Sequence, residues 1–201
     1  MKTPYIIIDG IDGCGKSTQV EMLSEWLRDR YGDVLVVSEP HEGTEIGMLT
    51  RKILRTGEYP EALLGMMVAS RFDLQSRIIA PALRQGIPVV SSRGFLSTLV
   101  YQGAKYPLSV LVALHCSMPQ YPTHGIILDV PPETAVARIQ KRDHKEVFEN
   151  ANFLKYAASA YRDIARSERV RTLFGNNLHL VNSMPTKEST FEHVLNALGL
   201  K

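Results

Sequence analysis

Eight residues near the start of the chain, Gly10-Ile11-Asp12-Gly13-Cys14-Gly15-Lys16-Ser17, fit the pattern G-x-x-x-x-G-K-[ST] at every fixed position. An apolar run precedes them and a helix-period segment follows, which is the context the pattern needs. The chemistry is anion binding. Glycines let the backbone curl around a phosphate with no Cβ in the way. Successive N–H groups and a helix N-terminus then point at the phosphate oxygens. Lys16 would reach the terminal phosphates, and the Ser17 hydroxyl could sit on Mg²⁺. Cys14 reads as a small side chain tolerated within the loop. Its place near a helix N-terminus would lower a thiol pKa, which keeps a redox role open.

A loop of this kind works only if a sheet and helices hold it. Candidate strands are Tyr5 to Asp9, Val34 to Ser38, Pro88 to Ser92, Ile126 to Val130 and Leu178 to Asn182. They are rich in Ile and Val and almost continuously apolar, as strands buried on both faces must be. Helical periodicity covers Lys16 to Tyr31, Glu45 to Arg55, Pro60 to Gln85, Ser97 to Lys105, Leu108 to His115, Pro132 to Arg142, Glu146 to Arg169 and Lys187 to Leu198. Gly32 and Gly86 stand where helix-terminating glycines belong, and Pro131 and Pro132 suit an opening turn. The alternation predicts a three-layer α/β/α domain around a five-stranded parallel sheet, with ligands beyond the carboxyl ends of the strands.

Composition agrees. The 201 residues are 44% hydrophobic and 22% charged, with no repeat and no linker, so one domain spanning 1–201 is expected. No apolar run approaches the ~20 residues that cross a bilayer, and the opening residues do not form a signal peptide. The two cysteines, Cys14 and Cys116, make no disulfide framework, so a reduced, cytoplasmic setting is expected. The net charge of +2 permits a polyanionic partner without requiring one. There is no N-K-x-D motif for reading guanine, and no long apolar strand ending in Asp-Glu of the kind many motor ATPases carry. His41, His115 and His124 read as loop or surface residues, since none has a partner at metal-ligand spacing.

Six segments in order resemble the thymidylate kinase family. They are Ile8 to Gln19; Ser38-Glu39-Pro40 with Gly43-Thr44-Glu45-Ile46-Gly47; Ala69-Ser70-Arg71; Ser92-Arg93 with Ser97 and Tyr101-Gln102; Leu128-Asp129-Val130-Pro131-Pro132-Glu133; and Arg138, Lys141 and Arg142 followed by Phe148-Glu149. The resemblance implies a P-loop kinase fold, phosphoryl transfer from ATP with Mg²⁺ to a small nucleotide, and a homodimer. Gly10, Asp12, Gly13, Cys14, Gly15, Lys16, Ser17 and Thr18 would hold the donor phosphates. Arg93 would hold the acceptor phosphate and the charge that develops, a task suited to a guanidinium fork. Asp12 would help place the acceptor or its metal. Arg71 would reach the thymine edge, or else make an ion pair with Asp73 or a neighbour. Tyr101, beside Gln102, would pack on the deoxyribose, or else belong to the core. Arg138, Lys141 and Arg142 would close over the transferring group, with a lid at about 141–148; the bland reading is a solvated helix face.

The chain departs from the family at three charged positions: Ser38 replaces the arginine before E-P, Ser70 the aspartate of A-D-R, and Ser92 the aspartate of D-R. Met67 stands where an aromatic commonly stacks on the base. With the Ser92 carboxylate gone, Asp9, Glu149 or Glu39 would serve the metal beside Ser17. All these changes fall on the acceptor side. Three functions therefore stand: dTMP to dTDP conversion; phosphorylation of the hydroxymethyl group of 5-hydroxymethyluracil within phage DNA, as some bacteriophage members of the family do, with Glu39 or Glu42 as general base; and non-catalytic ATP binding.

Overall fold

Tyr5–Asp9, buried at every position, forms β1 and runs straight into the glycine-rich loop. In a computed structural model the chain is described over residues 3–140 and 151–200. The remaining strands are β2 (Leu35–Ser38), β3 (Val89–Ser92), β4 (His124–Asp129) and β5 (Leu178–Asn182). They lie in the order β2-β3-β1-β4-β5, every neighbouring pair parallel. The chain winds to one side of β1 first and to the other afterwards. The loop after β1 therefore opens at the topological switch point, where parallel sheets bind ligands.

The helices are α1 (Lys16–Tyr31), α2 (Glu45–Thr56), α3 (Leu63–Leu74), α4 (Ala80–Arg84), α5 (Phe95–Gln102), α6 (Leu108–Ala113), α7 (Pro132–Gln140), α8 (Ala151–Arg166), α9 (Glu168–Thr172) and α10 (Lys187–Ala197). This is the α/β P-loop kinase architecture, and its core joins Ile6, Ile7 and Ile8 of β1 to Leu23 and Leu27 of α1 and to Ile126 and Ile127 of β4.

Several boundaries differ from the sequence expectation, each for a physical reason. The long helix expected over Pro60 to Gln85 begins at Leu63, after Tyr59 turns the chain at φ 52, and carries a wide π turn at Gln75–Ile79. Pro81 has no N–H to offer the carbonyl one turn back, and the buried Gln75 side chain turns away to accept from Gln120 N at 3.3 Å. The helix expected over Glu146 to Arg169 is described only from Ala151, and Ser167, in extended conformation, breaks it into α8 and α9. α5 starts at Phe95 rather than Ser97. Its own N-cap, Gly94, has no side chain to cap with, and the acceptor comes from another element: Asp9 Oδ2 takes hydrogen bonds from Gly94 N at 3.1 Å and Ser97 N at 3.0 Å. β4 gains His124 and Gly125, which pair with β1.

Candidate active site

The loop after β1 is shaped for an anion. Gly13, at φ +79, lies so close to α7 that an added Cβ would stand 2.5 Å from the Ala135 carbonyl oxygen. Gly15 caps α1 from the left-handed region at φ 99, with no side-chain acceptor, and the first turn of α1 holds no acidic residue. The N-terminal amides and the positive end of the helix dipole are thus left for a ligand. Ser17 is exposed and Thr18 half-buried at this end. Lys16 is buried, and its ammonium donates to the carbonyls of Gly10 at 3.0 Å and Ile11 at 2.8 Å and lies 3.6 Å from Asp12 Oδ1. These residues fit a nucleotide's phosphates, and the exposed Ser17 hydroxyl is a hard oxygen donor suited to Mg²⁺. Burial pushes the Cys14 thiol up, against the pull of Lys16, which favours the protonated thiol as a small packing group.

Opposite the loop stands Arg93, directly after β3, at φ 69 with its N–H on Ile8 O at 3.0 Å. That strained turn swings the side chain back over β1. One end of the guanidinium makes an ion pair with Asp12 of the loop. The other donates to Ser97 Oγ at 3.2 Å and Tyr101 Oη at 3.3 Å, and the Tyr101 hydroxyl lies 3.5 Å from Asp12 Oδ2. Asp12, Arg93 and Tyr101 therefore form one hydrogen-bonded cluster. Gln102 follows at the C-terminal end of α5, half-buried, its carbonyl accepting from Lys105 and Tyr106.

Asp9 has a different role from the one expected. Its carboxylate accepts from Gly10 N, Gly94 N, Ser97 N, Ser97 Oγ and Tyr161 Oη, between 2.6 and 3.1 Å. A carboxylate offers about four lone-pair sites, so these donors fill it and leave nothing for a cation. Asp9 is a brace joining β1 to α5 and α8, not a metal ligand.

Among the described residues Arg71 is the largest fully buried side chain, and its ion pair is with Glu39, Nε to Oε2 at 2.6 Å. Asp73, the partner considered in the sequence, instead binds Arg77 at 2.6 Å. Arg71 Nη2 donates to Thr98 Oγ1 at 3.0 Å, and Nη1 lies 2.6 Å from His115 Nε2. The other ring nitrogen of His115 is 2.6 Å from Leu111 O, so Nδ1 carries the proton and Nε2 accepts from Arg71. Burial, with Arg71 beside it, lowers the His115 pKa from 6.5 to about 3. His115 lies in the turn after α6, as expected of a loop residue, but it is buried rather than on the surface, because Arg71 needs a neutral acceptor inside the core. His41 and His124 are both half-buried, His124 within β4.

Glu39 is held in place. Burial pushes its carboxyl up while Arg71 pulls it down. Oε2 is tied to Arg71, while Oε1 is buried with no hydrogen-bond partner among the described residues. Glu42 is exposed and binds Arg51 at 3.2 Å and Arg55 at 3.1 Å. Met67, half-buried, lies one turn before Arg71 on α3, and Ser70 is buried.

Ser38 and Ser92, two of the positions that depart from the family pattern, are direct register partners on β2 and β3. They line a cleft of about 640 Å³ with Ser17, Glu21, Arg28 and His41. Arg51 of α2 approaches Ser38 Oγ at 3.4 Å and donates to Pro40 O at 2.7 Å.

On the far side of the loop, Arg138 Nη1 donates to Gly13 O at 3.3 Å and Ser183 Oγ at 3.4 Å, and Ser183 donates to Cys14 O at 3.2 Å. Arg138 buttresses the loop from α7 rather than covering it as part of a lid. Lys141, Arg142, Glu149 and the expected lid at 141–148 lie outside the described residues.

Thr98, His115 and Tyr161 went unremarked as site residues in the sequence. Thr98 follows Ser97 in the segment from Ser92 to Gln102, which is a usable signal. Tyr161 sits at helical spacing in an amphipathic stretch and reads as core.

Comparison with known proteins points to one family. The family model described as thymidylate kinase matches residues 8–183. The thymidylate kinase of Neisseria gonorrhoeae is 36% identical over 174 residues, covering 82% of this chain and 84% of the relative. That of Carboxydothermus hydrogenoformans is 30% identical over 186 residues, covering 87% and 90%. The crystal structure of thymidylate kinase from Ehrlichia chaffeensis shares the fold, with a TM-score of 0.75 over 99% of this chain and 100% of that one at 24% identity. Matched by the family model over most of its length, and 30% and 36% identical to these relatives over most of both chains, the chain belongs to the thymidylate kinase family of nucleotide kinases.

Proposed function

We propose that the chain transfers the γ-phosphoryl group of ATP to the 5′-phosphate of dTMP, forming dTDP and ADP. The observation that carries this reading is the Asp12–Arg93 ion pair, which joins the phosphate loop to the strand end where an acceptor phosphate would lie. A phosphate acceptor is already ionised near neutral pH, its second pKa being about 6. Its oxygen can attack the γ-phosphorus with no general base, and the bridging bond breaks with its electrons going to ADP. The Arg93 fork would hold two acceptor oxygens and neutralise charge, and Lys16 and the loop amides would do the same for the donor. Mg²⁺, held at Ser17, would neutralise the donor phosphates. Positioning and charge supply most of the catalysis in phosphoryl transfer.

Tyr101, hydrogen-bonded to Arg93, supports a wall against the sugar, and Met67, one turn from Arg71, supports an apolar wall against the base. A cytoplasmic setting is part of the proposal, and no helix among the described residues is long and apolar enough to cross a membrane. So is a homodimer, supported by Met48 and Leu49 standing 52% and 49% exposed on α2.

The test offers [γ-³²P]ATP with dTMP, with the other deoxynucleoside monophosphates, and with DNA carrying 5-hydroxymethyluracil. Labelled dTDP is expected. Label only in the modified DNA would replace this reading with the DNA-kinase one, and ATP binding without transfer would leave a binding protein.

A further inference from the structure

Arg93, in the turn between β3 and α5, is held by groups from several elements. Ser97 Oγ has a single proton and donates it to Asp9 Oδ1 at 2.8 Å. With that proton spent, the Ser97 oxygen can only accept, and it accepts from Arg93 Nη1 at 3.2 Å. A second hydroxyl reaches the same carboxylate oxygen: Tyr161 Oη donates to Asp9 Oδ1 at 2.6 Å, and stands 3.2 Å from Ser97 Oγ. Because a carboxylate only accepts, the hydrogen bonds have one direction, from Arg93 to Ser97 to Asp9, with Tyr161 meeting them from the opposite side. Tyr161 is 2% exposed and belongs to α8, which shares no sequence segment with β1 or α5. Burial and the Asp9 charge push its phenol up, so it keeps its proton at any ordinary pH.

We propose that the Tyr161 hydroxyl is a positioning group for Arg93. By filling Asp9 Oδ1 and standing against Ser97 Oγ, it keeps the serine turned toward the arginine and the guanidinium fixed where it meets Asp12. Without it, the serine hydroxyl swings toward the vacated side of Asp9 and the guanidinium loses one of its anchors. The inference rests on the reading of Arg93 as the arginine that holds the acceptor phosphate, and it gives α8 a part in the reaction that its amphipathic pattern conceals.

The experiment compares wild type, Tyr161→Phe, Ser97→Ala and the double variant, with ATP and dTMP, well below the melting temperature of each. Tyr161→Phe keeps the ring and removes only the hydroxyl. Its kcat should fall about tenfold, the scale of one lost hydrogen bond, with KM for ATP unchanged. Ser97→Ala should cost a similar factor, and the double variant no more than the larger single loss, because both act through Arg93. A purely structural role for Tyr161 would lower the melting temperature and leave kcat at wild type, and independent effects would multiply to about a hundredfold; either result overturns the proposal. A second readout needs no turnover. The side-chain signals of Arg93 in ¹⁵N-arginine-labelled protein, assigned by their loss in Arg93→Lys, should move in Tyr161→Phe and in Ser97→Ala. Should Tyr161→Phe fail to fold, an Arg93 signal unmoved in Ser97→Ala would still overturn the chain of contacts. A wild type silent on dTMP would defeat the substrate reading, while the Arg93 signals would still decide this one.

Discussion

Ser38 and Ser92 face each other across β2 and β3 as register partners, at the carboxyl ends of both strands. In the family pattern those positions carry an arginine and an aspartate, so the two losses remove opposite charges from neighbouring sites. Removing both together leaves no uncompensated ion, which a single loss would have done. Restoring one charge should therefore hurt and restoring both should not. Ser92→Asp alone should destabilise the fold by about 1–2 kcal/mol, and Ser38→Arg with Ser92→Asp should recover most of it. Thermal denaturation of the four variants measures the coupling, and simple additivity would contradict the account.

The buried Arg71–Glu39 pair makes a larger claim on stability. Arg71→Ala would strand the Glu39 carboxylate in the core and should cost about 3–5 kcal/mol. Adding Glu39→Gln should return part of that cost, because the stranded charge goes with it. Denaturant unfolding of the single and double variants reads both values.

His115 gives a pH signature. Its pKa falls from 6.5 to about 3 on folding, so between these values the unfolded chain binds the extra proton. Stability contributed by neutral His115 is complete above pH 6.5 and is lost as pH falls toward 3. Glu39, its carboxyl raised by burial, acts in the opposite sense. The measurement is thus the difference between wild type and His115→Gln, whose amide oxygen can still accept from Arg71. From pH 7 to pH 4 wild type should lose more stability than the variant. Parallel curves would show that His115 is not held neutral.

The cysteines should separate cleanly. Cys116 is exposed, and Cys14 is buried with its thiol pushed up. Native protein should take up one equivalent of a thiol reagent, at Cys116, and a second only on unfolding. Fast reaction of both thiols in native protein, followed by mass spectrometry, would contradict the description of the loop.

What was legible in the sequence was local. Lys16 and Ser17 carry their meaning in the spacing of one loop, and β1 announces itself by an unbroken apolar run. The Arg71 partners could not be read this way, because Glu39 and His115 stand 32 and 44 positions distant and meet only after the sheet closes. Asp9 misled for a chemical reason: a carboxylate beside a phosphate loop suits a metal as well as it suits a helix cap, and only the donors from Gly94, Ser97 and Tyr161 decide between them. Arg138 misled by its neighbourhood, since it shares a basic stretch with Lys141 and Arg142 while its contacts belong to the loop.

Arg93, pinned between Asp12 and Ser97, is the proposed holder of the acceptor phosphate. Steady-state kinetics of Arg93→Lys test it most directly. Lysine keeps the charge and loses the fork. In this variant kcat/KM for dTMP should fall by about 10²–10³, the scale for removing one preorganised charge-stabilising donor, while the affinity for ATP stays unchanged. Near-wild-type turnover of dTMP by this variant, or an equal loss of ATP affinity, would contradict it.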